Sequence, residues 1–475
     1  MIDPPTRLPA TGWSQLAGLP ADAPEAGDGA VFNIRAYGAV GDGKHNDLPA
    51  YFAMVAAVNA ARGGTALFPP GVYYMDDHQR YDERGIAGGS SQPVFSDCDG
   101  LRISGYGAKI DLRGDFHRTR ASDRHPIIGV RVQRCRNFVI EGLEIDGNVD
   151  RMTRAPGMPE TWSHGILVAS SQRYVLRDLN VHHHAMDGIG LGRTERGVPD
   201  EDVRLENVFS SYNARQALSI LGCRRLTAVN CVFANTGRSL PYGGYAPGTG
   251  VDVEPEGRGA VGEEIVFDGC RFENNFGGQV AVGYPHLVRG VRFVRCHMSG
   301  HTENLAYSVS LVGNGVSVEN CEIDLDVAAL RLAQKVRVTG CNIRYRKAGV
   351  VALEGGDILF QGNTVICTAT APLDVDTPLI QAPGARVIGN RFFRPGVTWR
   401  NETGSGADRV ATLVGAEFRD NRWETDLDVS GRNAGRYFYV QYNGSPARNE
   451  RFVPPAAIRP FLNAPANHPT PYSSG

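Results

Sequence analysis

The sequence predicts an all-β chain wound as a single right-handed parallel β-helix of about ten or more coils with an N-terminal capping helix. Three observations carry this. An apolar octet recurs eleven times, a second short apolar strand accompanies most copies, and an entry segment near the N-terminus orders strand, turn, helix and strand signals in succession.

The octet reads apolar, any, apolar, any, small or Asn, a marked position, any, apolar. It begins as FVIEGLEI at Phe138, passes through IVFDGCRF at Ile265 and VRVTGCNI at Val336, and ends as AEFRDNRW at Ala416. Its marked positions are Leu143, Leu179, Val208, Cys231, Cys270, Cys296, Cys321, Cys341, Asn363, Asn390 and Asn421, spaced 20 to 39 residues apart. A period-2 apolar pattern denotes a strand with one buried face, and a recurrence on this scale denotes one solenoid coil. Five cysteines therefore fall in one column. Free cysteine packs as a small hydrophobe and no histidine shares the column, so it is expected to be a buried ladder continued by asparagines.

The second strand appears as ILV at Ile166, IGL at Ile189, LSI at Leu218, VDV at Val251 and VAV at Val280, and on to VAL at Val351. Two strands per coil leave the register of a third sheet unread. Residues 31–440 are assigned to the β-helix, 1–30 to an N-terminal extension and 441–475 to a Pro-rich C-terminal tail.

The composition is that of a soluble globular chain, 42% hydrophobic and 21% charged, with 58 glycines suited to many turns. A formal net charge of −2 gives no reason to expect nucleic acid or an acidic membrane as partner. No run approaches the ~18 apolar residues of a membrane span. The opening MIDPPTRLPATGW lacks the basic region and apolar core of a signal peptide, which leaves cytoplasm, a particle or a processed export product open as compartments.

The entry segment contains Gly38, Gly41, Asp42, Gly43 and Asp47, then a helix over Leu48–Ala61, then Gly63, Gly64, Pro70, Gly71 and Tyr73. This pattern resembles the entry segment of the pectate-lyase-like β-helix superfamily. The helix is expected to be amphipathic and to close the open solenoid end against edge-to-edge pairing, with Asp42 and Asp47 as turn and N-cap residues. The resemblance implies a fold shared by lyases, polygalacturonase-like hydrolases, epimerases and viral tailspikes. Function must therefore be read from the site.

The chemistry is expected on the outer face of the strand at Val251. With Val251 and Val253 inward, Asp252 and Glu254 point out together, ~6.6–7 Å apart along the strand. Their outward neighbours, Gly188, Gly190, Gly192, Ala217, Ser219, Gly250, Ala281 and Gly283, are small and would form a floor. Inverting glycosidases hold their carboxyls ~6.5–9.5 Å apart to admit a water. Mutual repulsion is expected to raise one pKa of the pair, giving an acid, and to leave the other ionised as base. Asp187, opening a strand two coils earlier, is similar to the aspartate that opens the corresponding strand in polygalacturonase-like hydrolases. Their paired Asp-Asp, Gly-His-Gly and Arg-x-Lys motifs are absent here.

Substrate contacts are assigned to His164 and Arg215 at equivalent strand entries, His184 in the preceding turn, Gln216 and Gln279, and the loop aromatics Trp162, Tyr242 and Tyr245, which would stack on sugar faces. No metal site is evident in the spacing, and His182, His183 and His184 read equally as a solvated turn.

Three functions follow. A glycoside hydrolase would use Asp252, Glu254 and Asp187 on a polysaccharide or oligosaccharide, without a cofactor. A polysaccharide lyase would abstract a proton beside a uronate with His184, Arg215 or Tyr242, and would recruit calcium to Asp252, Glu254 and Glu256. A glycan-binding or tailspike-like protein would need none of these carboxylates.

Overall fold

The computed structural model describes residues 29–76, 92–113, 127–151, 163–192, 197–237, 244, 246–300, 307–326, 329–346, 351–373, 379–399, 407–431 and 434–461. Among them lie 38 strands, joined to their neighbours by parallel pairing, and one α-helix, Leu48–Ala61. The chain is a right-handed parallel β-helix.

A middle coil shows the plan. Leu218–Ile220, Cys223–Val229 and Val232–Ala234 are followed one coil later by Thr249–Val253, Gly262–Asp268 and Arg271–Glu273, each pairing in parallel with its equivalent. The next coil repeats this with Gly278–Val282, Val288–Val294 and His297–Gly300. There are thus three stacks of strands. In earlier coils the second and third fuse: Asp200–Ser211 pairs with both Cys223–Val229 and Val232–Ala234.

The third stack is what the octet concealed. The octet is two strands around a corner, with the marked residue at the bend. The residue before it has positive φ on rung after rung: Asn207, Asn230, Gly269, Arg295, Asn320, Gly340, Gly362, Gly389 and Asp420. Gly and Asn tolerate that left-handed conformation, which is why the octet carries a small residue or Asn there.

The column itself is the buried ladder expected. All nine cysteines are free and buried. Cys296 N donates to Cys321 Sγ at 3.2 Å, Cys341 N to Asn363 Oδ1 at 2.9 Å, Asn363 N to Asn390 Oδ1 at 2.9 Å and Asn390 N to Asn421 Oδ1 at 2.9 Å. Asn421 then donates to Glu450. The rung at Glu450 corrects the boundary placed at residue 440: strands Arg451–Val453 and Ile458–Phe461 still pair with the coil below them. The Pro-rich composition of this stretch suits turns between very short strands.

The helix buries Leu48, Tyr51, Phe52, Met54, Val55 and Val58 against the first coils and leaves Ala53, Ala56, Ala60 and Ala61 exposed. Its outer face is alanine rather than the charge an amphipathic helix would show. Asp47 occupies the N-cap position, but its carboxylate accepts from Val40 N and Gly41 N instead of the helix N–H groups. It ties down the preceding turn.

Candidate functional site

The first stack carries the site. Its inward row, Ile166, Ile189, Leu218, Val251 and Val280, is fully buried and holds the register. The alternate row brings Leu167, Gly190, Ser219, Asp252 and Ala281 into line on successive coils. Asp252 in the strand Thr249–Val253 and Glu254 just past it follow the outward alternation, and five other side chains gather around them.

Asp187 anchors the group. It is fully buried, and Arg215 grips it with Nε to Oδ1 and a terminal nitrogen to Oδ2, both at 2.7 Å. Ser219 Oγ donates to Oδ2 at 3.0 Å, and His164 Nδ1 stands 3.6 Å from the same oxygen. Burial opposes ionisation of Asp187, but the Arg215 guanidinium, His164 and Ser219 outweigh it and hold the carboxyl below its ordinary range. Gln216 donates from Nε2 to Asp252 Oδ2 at 2.8 Å and meets Ser219 Oγ with its oxygen. Arg215 reaches on to Glu254 Oε1 at 3.8 Å.

Asp252 and Glu254 titrate high. Burial pushes Asp252 up to about 7, with Asp187 and Glu256 adding to the rise and Arg215 opposing it. Burial likewise pushes Glu254 up to about 8, reinforced by Asp252. The expectation that one member of this pair stays ionised at ordinary acidity is therefore corrected. The readily ionised carboxylate is Asp187, because Arg215 spends its two best hydrogen bonds there.

The structure brings together His164, Asp187, Arg215, Gln216, Asp252 and Glu254. His164 and Arg215, however, are not equivalent. The register sets His164, Asp187 and Gln216 two residues before Ile166, Ile189 and Leu218, while Arg215 lies one residue earlier and reaches back across coils. Ser219, read from sequence only as floor, joins the site through its hydroxyl. Its place beside Asp252 in the register was the available signal.

Two assigned contacts go elsewhere. His184 is fully buried in the corner, its backbone N donating to Asn213 Oδ1 and its Nε2 lying 3.2 Å from Ile145 O. Burial, aided by the charge of His182, drives its pKa down to about 3, so it stays neutral. Gln279 is also buried in the corner, where its Oε1 accepts from Asn275 Nδ2 at 3.0 Å. The floor shrinks accordingly. A Cβ on Gly188 would strike Ser210 Oγ and Asn213 Nδ2, and one on Gly250 would strike Asn275 Nδ2, so both glycines admit the corner rather than a ligand. At Gly283 a Cβ would meet nothing within 4 Å, as an open floor requires. Trp162, Tyr242 and Tyr245 lie outside the described residues.

A solenoid with an aperiodic cluster of buried carboxylates on one stack defines the class, and comparison with known proteins agrees on the winding. The family model described as right handed beta helix region matches residues 85–323, half of the chain, and the chain belongs to that family. It is 27% identical over 243 residues to the uncharacterized protein YclG of Bacillus subtilis, covering 48% of this chain and 38% of that one. It is 27% identical over 210 residues to the mannuronan C5-epimerase AlgE6 of Azotobacter vinelandii, covering 38% of this chain and 22% of the epimerase. The matched segments thus span well under half the length of either relative. Among solved structures, the A-module of mannuronan C-5 epimerase AlgE4 from A. vinelandii aligns over 92% of this chain and 98% of its own, with 16% identity and a TM-score of 0.40. PfbA, a surface adhesin of Streptococcus pneumoniae, aligns over 89% and 91%, with 12% identity and a TM-score of 0.43.

Among the described residues no helix is long and apolar enough to cross a membrane.

Proposed function

We propose that the chain is a carbohydrate-active enzyme that hydrolyses a polysaccharide or oligosaccharide by acid/base catalysis, with Glu254 as acid and Asp252 as base. One observation carries this reading. Two neighbouring carboxyls, Asp252 in the strand Thr249–Val253 and Glu254 just past it, are buried beside an arginine whose charge Asp187 already neutralises, and burial raises both, Asp252 to about 7 and Glu254 to about 8.

Glu254 is the better acid, since its pKa is the higher and its side chain is 15% exposed. Asp252 ionises first and is steadied by Gln216. Strand geometry sets Cα atoms two residues apart at ~6.6–7 Å, and inverting glycosidases hold their carboxyl groups ~6.5–9.5 Å apart to admit a water. Asp187 and Arg215 position the pair rather than react. The charge balance favours a neutral sugar: Asp187 already takes the charge of Arg215, which leaves no surplus positive charge there for a uronate carboxylate.

A second reading is favoured by the likeness to the mannuronan epimerase. Proton abstraction beside a uronate, ending in elimination or epimerisation, would use His164 or Arg215 and require a cation to offset the carboxylates. Calcium held by Asp252, Glu254 and Glu256 would meet that need.

Purified protein incubated with neutral and uronate-containing polysaccharides, with and without calcium, separates these. New reducing ends without unsaturated-uronate absorbance, abolished by Asp252→Asn, are expected. Reducing ends accompanied by that absorbance, or a changed uronate composition by proton NMR, would replace hydrolysis with the second reading. Retained glycan binding without turnover would leave a binding protein.

A further inference from the structure

A second cluster of chemically capable side chains lies on the coils just before Asp187. Asp146 ends the strand Arg136–Asp146, His182 ends Gln172–His182, and the two are register partners on adjacent coils. His183 follows at φ +57°, so the chain turns left-handed and carries its ring back toward His182. The two Nδ1 atoms are 2.7 Å apart, and Asp146 Oδ1 is 3.6 Å from His182 Nδ1. One ligand atom from each of the three residues falls within 4.8 Å of the others.

From this geometry we infer that Asp146, His182 and His183 form a binding site for a divalent transition-metal ion of the zinc type, separate from the carboxylate site. The surroundings prepare each ligand. Glu144 Oε1 lies 3.4 Å from His182 Nε2 and favours the proton there, leaving the Nδ1 lone pair facing the cluster. A carboxylate behind a histidine is the usual support of a metal-binding imidazole. His183 is clamped by stacking on Tyr212, with centroids 5.2 Å apart and planes at 9°. Asp146 is held by Lys109 at Oδ2 and by Asn148 N at Oδ1. Oδ1, which retains a second lone pair, is the oxygen nearer His182.

The donor set decides the ion. Two imidazoles and one carboxylate suit zinc, nickel or copper, whereas calcium and magnesium take oxygen ligands. Three protein ligands leave one tetrahedral position for water or another donor. Without an ion, the two Nδ1 atoms 2.7 Å apart are at hydrogen-bond distance, a contact that a metal would replace. Because His182 and His183 lead into the turn that carries Asp187, an ion here would also brace that turn.

Tag-free full-length protein, stripped with chelator, is titrated with zinc chloride by calorimetry and by competition with a chromophoric chelator, with calcium chloride in parallel. One zinc per chain, with calcium leaving the heat signal at baseline, is the expected result. His183→Asn keeps a residue that tolerates positive φ, so folding is preserved while the imidazole is lost. It should weaken zinc at least about tenfold, and Glu144→Gln should weaken it by about the same factor through His182. Circular dichroism of each variant checks that the coil is intact. Zinc affinity unchanged in both His183→Asn and His182→Gln, absence of zinc binding, or a preference for calcium would overturn the proposal.

Discussion

Two rows run along this solenoid, and they follow opposite rules. The corner row from Cys231 to Glu450 changes little from rung to rung, and its backbone and asparagine donors repeatedly find an acceptor one coil on. The outer row of the first stack reads Gly190, Ser219, Asp252 and Ala281, different on every rung, with charge buried among its neighbours. Each ladder rung hands on the same bond, so the row supports winding. The aperiodic row collects groups that oppose one another, which burial makes costly. Residues arranged against stability on a scaffold that does not need them are where the proposed chemistry would sit.

If that contrast is right, the largest effect lies in turnover with the fold intact. Glu254→Gln should lower kcat by about 10²–10⁴-fold, the range of a lost general acid. Its thermal midpoint should not fall, because the amide removes a carboxyl that is costly to ionise in place. Because Asp252 ionises near 7 and Glu254 near 8, the wild-type rate should follow a narrow bell with its maximum between those values. A variant that loses activity and melts early by the same measure would return Glu254 to the scaffold.

Asp187 should break both halves of the comparison at once. Asp187→Asn leaves Arg215 largely buried without its counter-charge, and breaking a buried pair in this way costs about 3–5 kcal/mol. Denaturant titration should show that loss, and activity should vanish because Arg215 no longer holds its place between Asp187 and Glu254. Adding Arg215→Gln should restore part of the stability and none of the turnover. That combination distinguishes a positioning pair from a catalytic one.

The ladder offers the reverse case. Asn390 accepts from both nitrogens of Asn363 and donates to Phe360 O and Asn421 Oδ1. Asn390→Ala strands these groups in a dry corner and should cost about 1–3 kcal/mol for each one left unsatisfied. Native-state hydrogen exchange should place the loss in the coils around residues 363–421, since repeat arrays respond locally. Turnover at the first-stack site should be unchanged.

The sequence was legible where side-chain direction follows simple alternation. Val251 and Val253 inward force Asp252 and Glu254 outward, and Leu218 and Ile220 do the same for Ser219. Direction is lost at corners, where one left-handed residue re-aims everything after it. His184 follows His183 at φ +57°, and so turns into the corner instead of the groove. Gln279 follows Gly278 at φ +133° at the start of its strand and likewise turns to Asn275. The octet hid a whole sheet for the same reason: a bend at Gly269 or Asn320 leaves the spacing of apolar letters almost intact. The convergence of Arg215 on Asp187 depends on coil-to-coil register, which a pattern of strands without the third stack could not supply.

The smallest effect is a slope against pH, and it sets the two kinds of carboxyl apart by sign. Asp252 and Glu254 have folded-state pKa values above their unfolded ones, so the native state holds more protons between roughly pH 4 and pH 8. The stability they lend is fully present below about pH 4 and is lost as pH rises through their folded values. Asp187 is depressed, so its contribution is present above about pH 4 and is lost only as pH falls through its folded value. Denaturation midpoints measured from pH 5 to pH 9 should therefore decline for the wild type. The Asp252→Asn, Glu254→Gln double variant should decline less, and should overtake the wild type at the alkaline end by about 1 kcal/mol or more. Parallel curves would mean that the two carboxyls are solvated in the native state. The aperiodic row would then be an ordinary polar face, with no proton held ready for transfer.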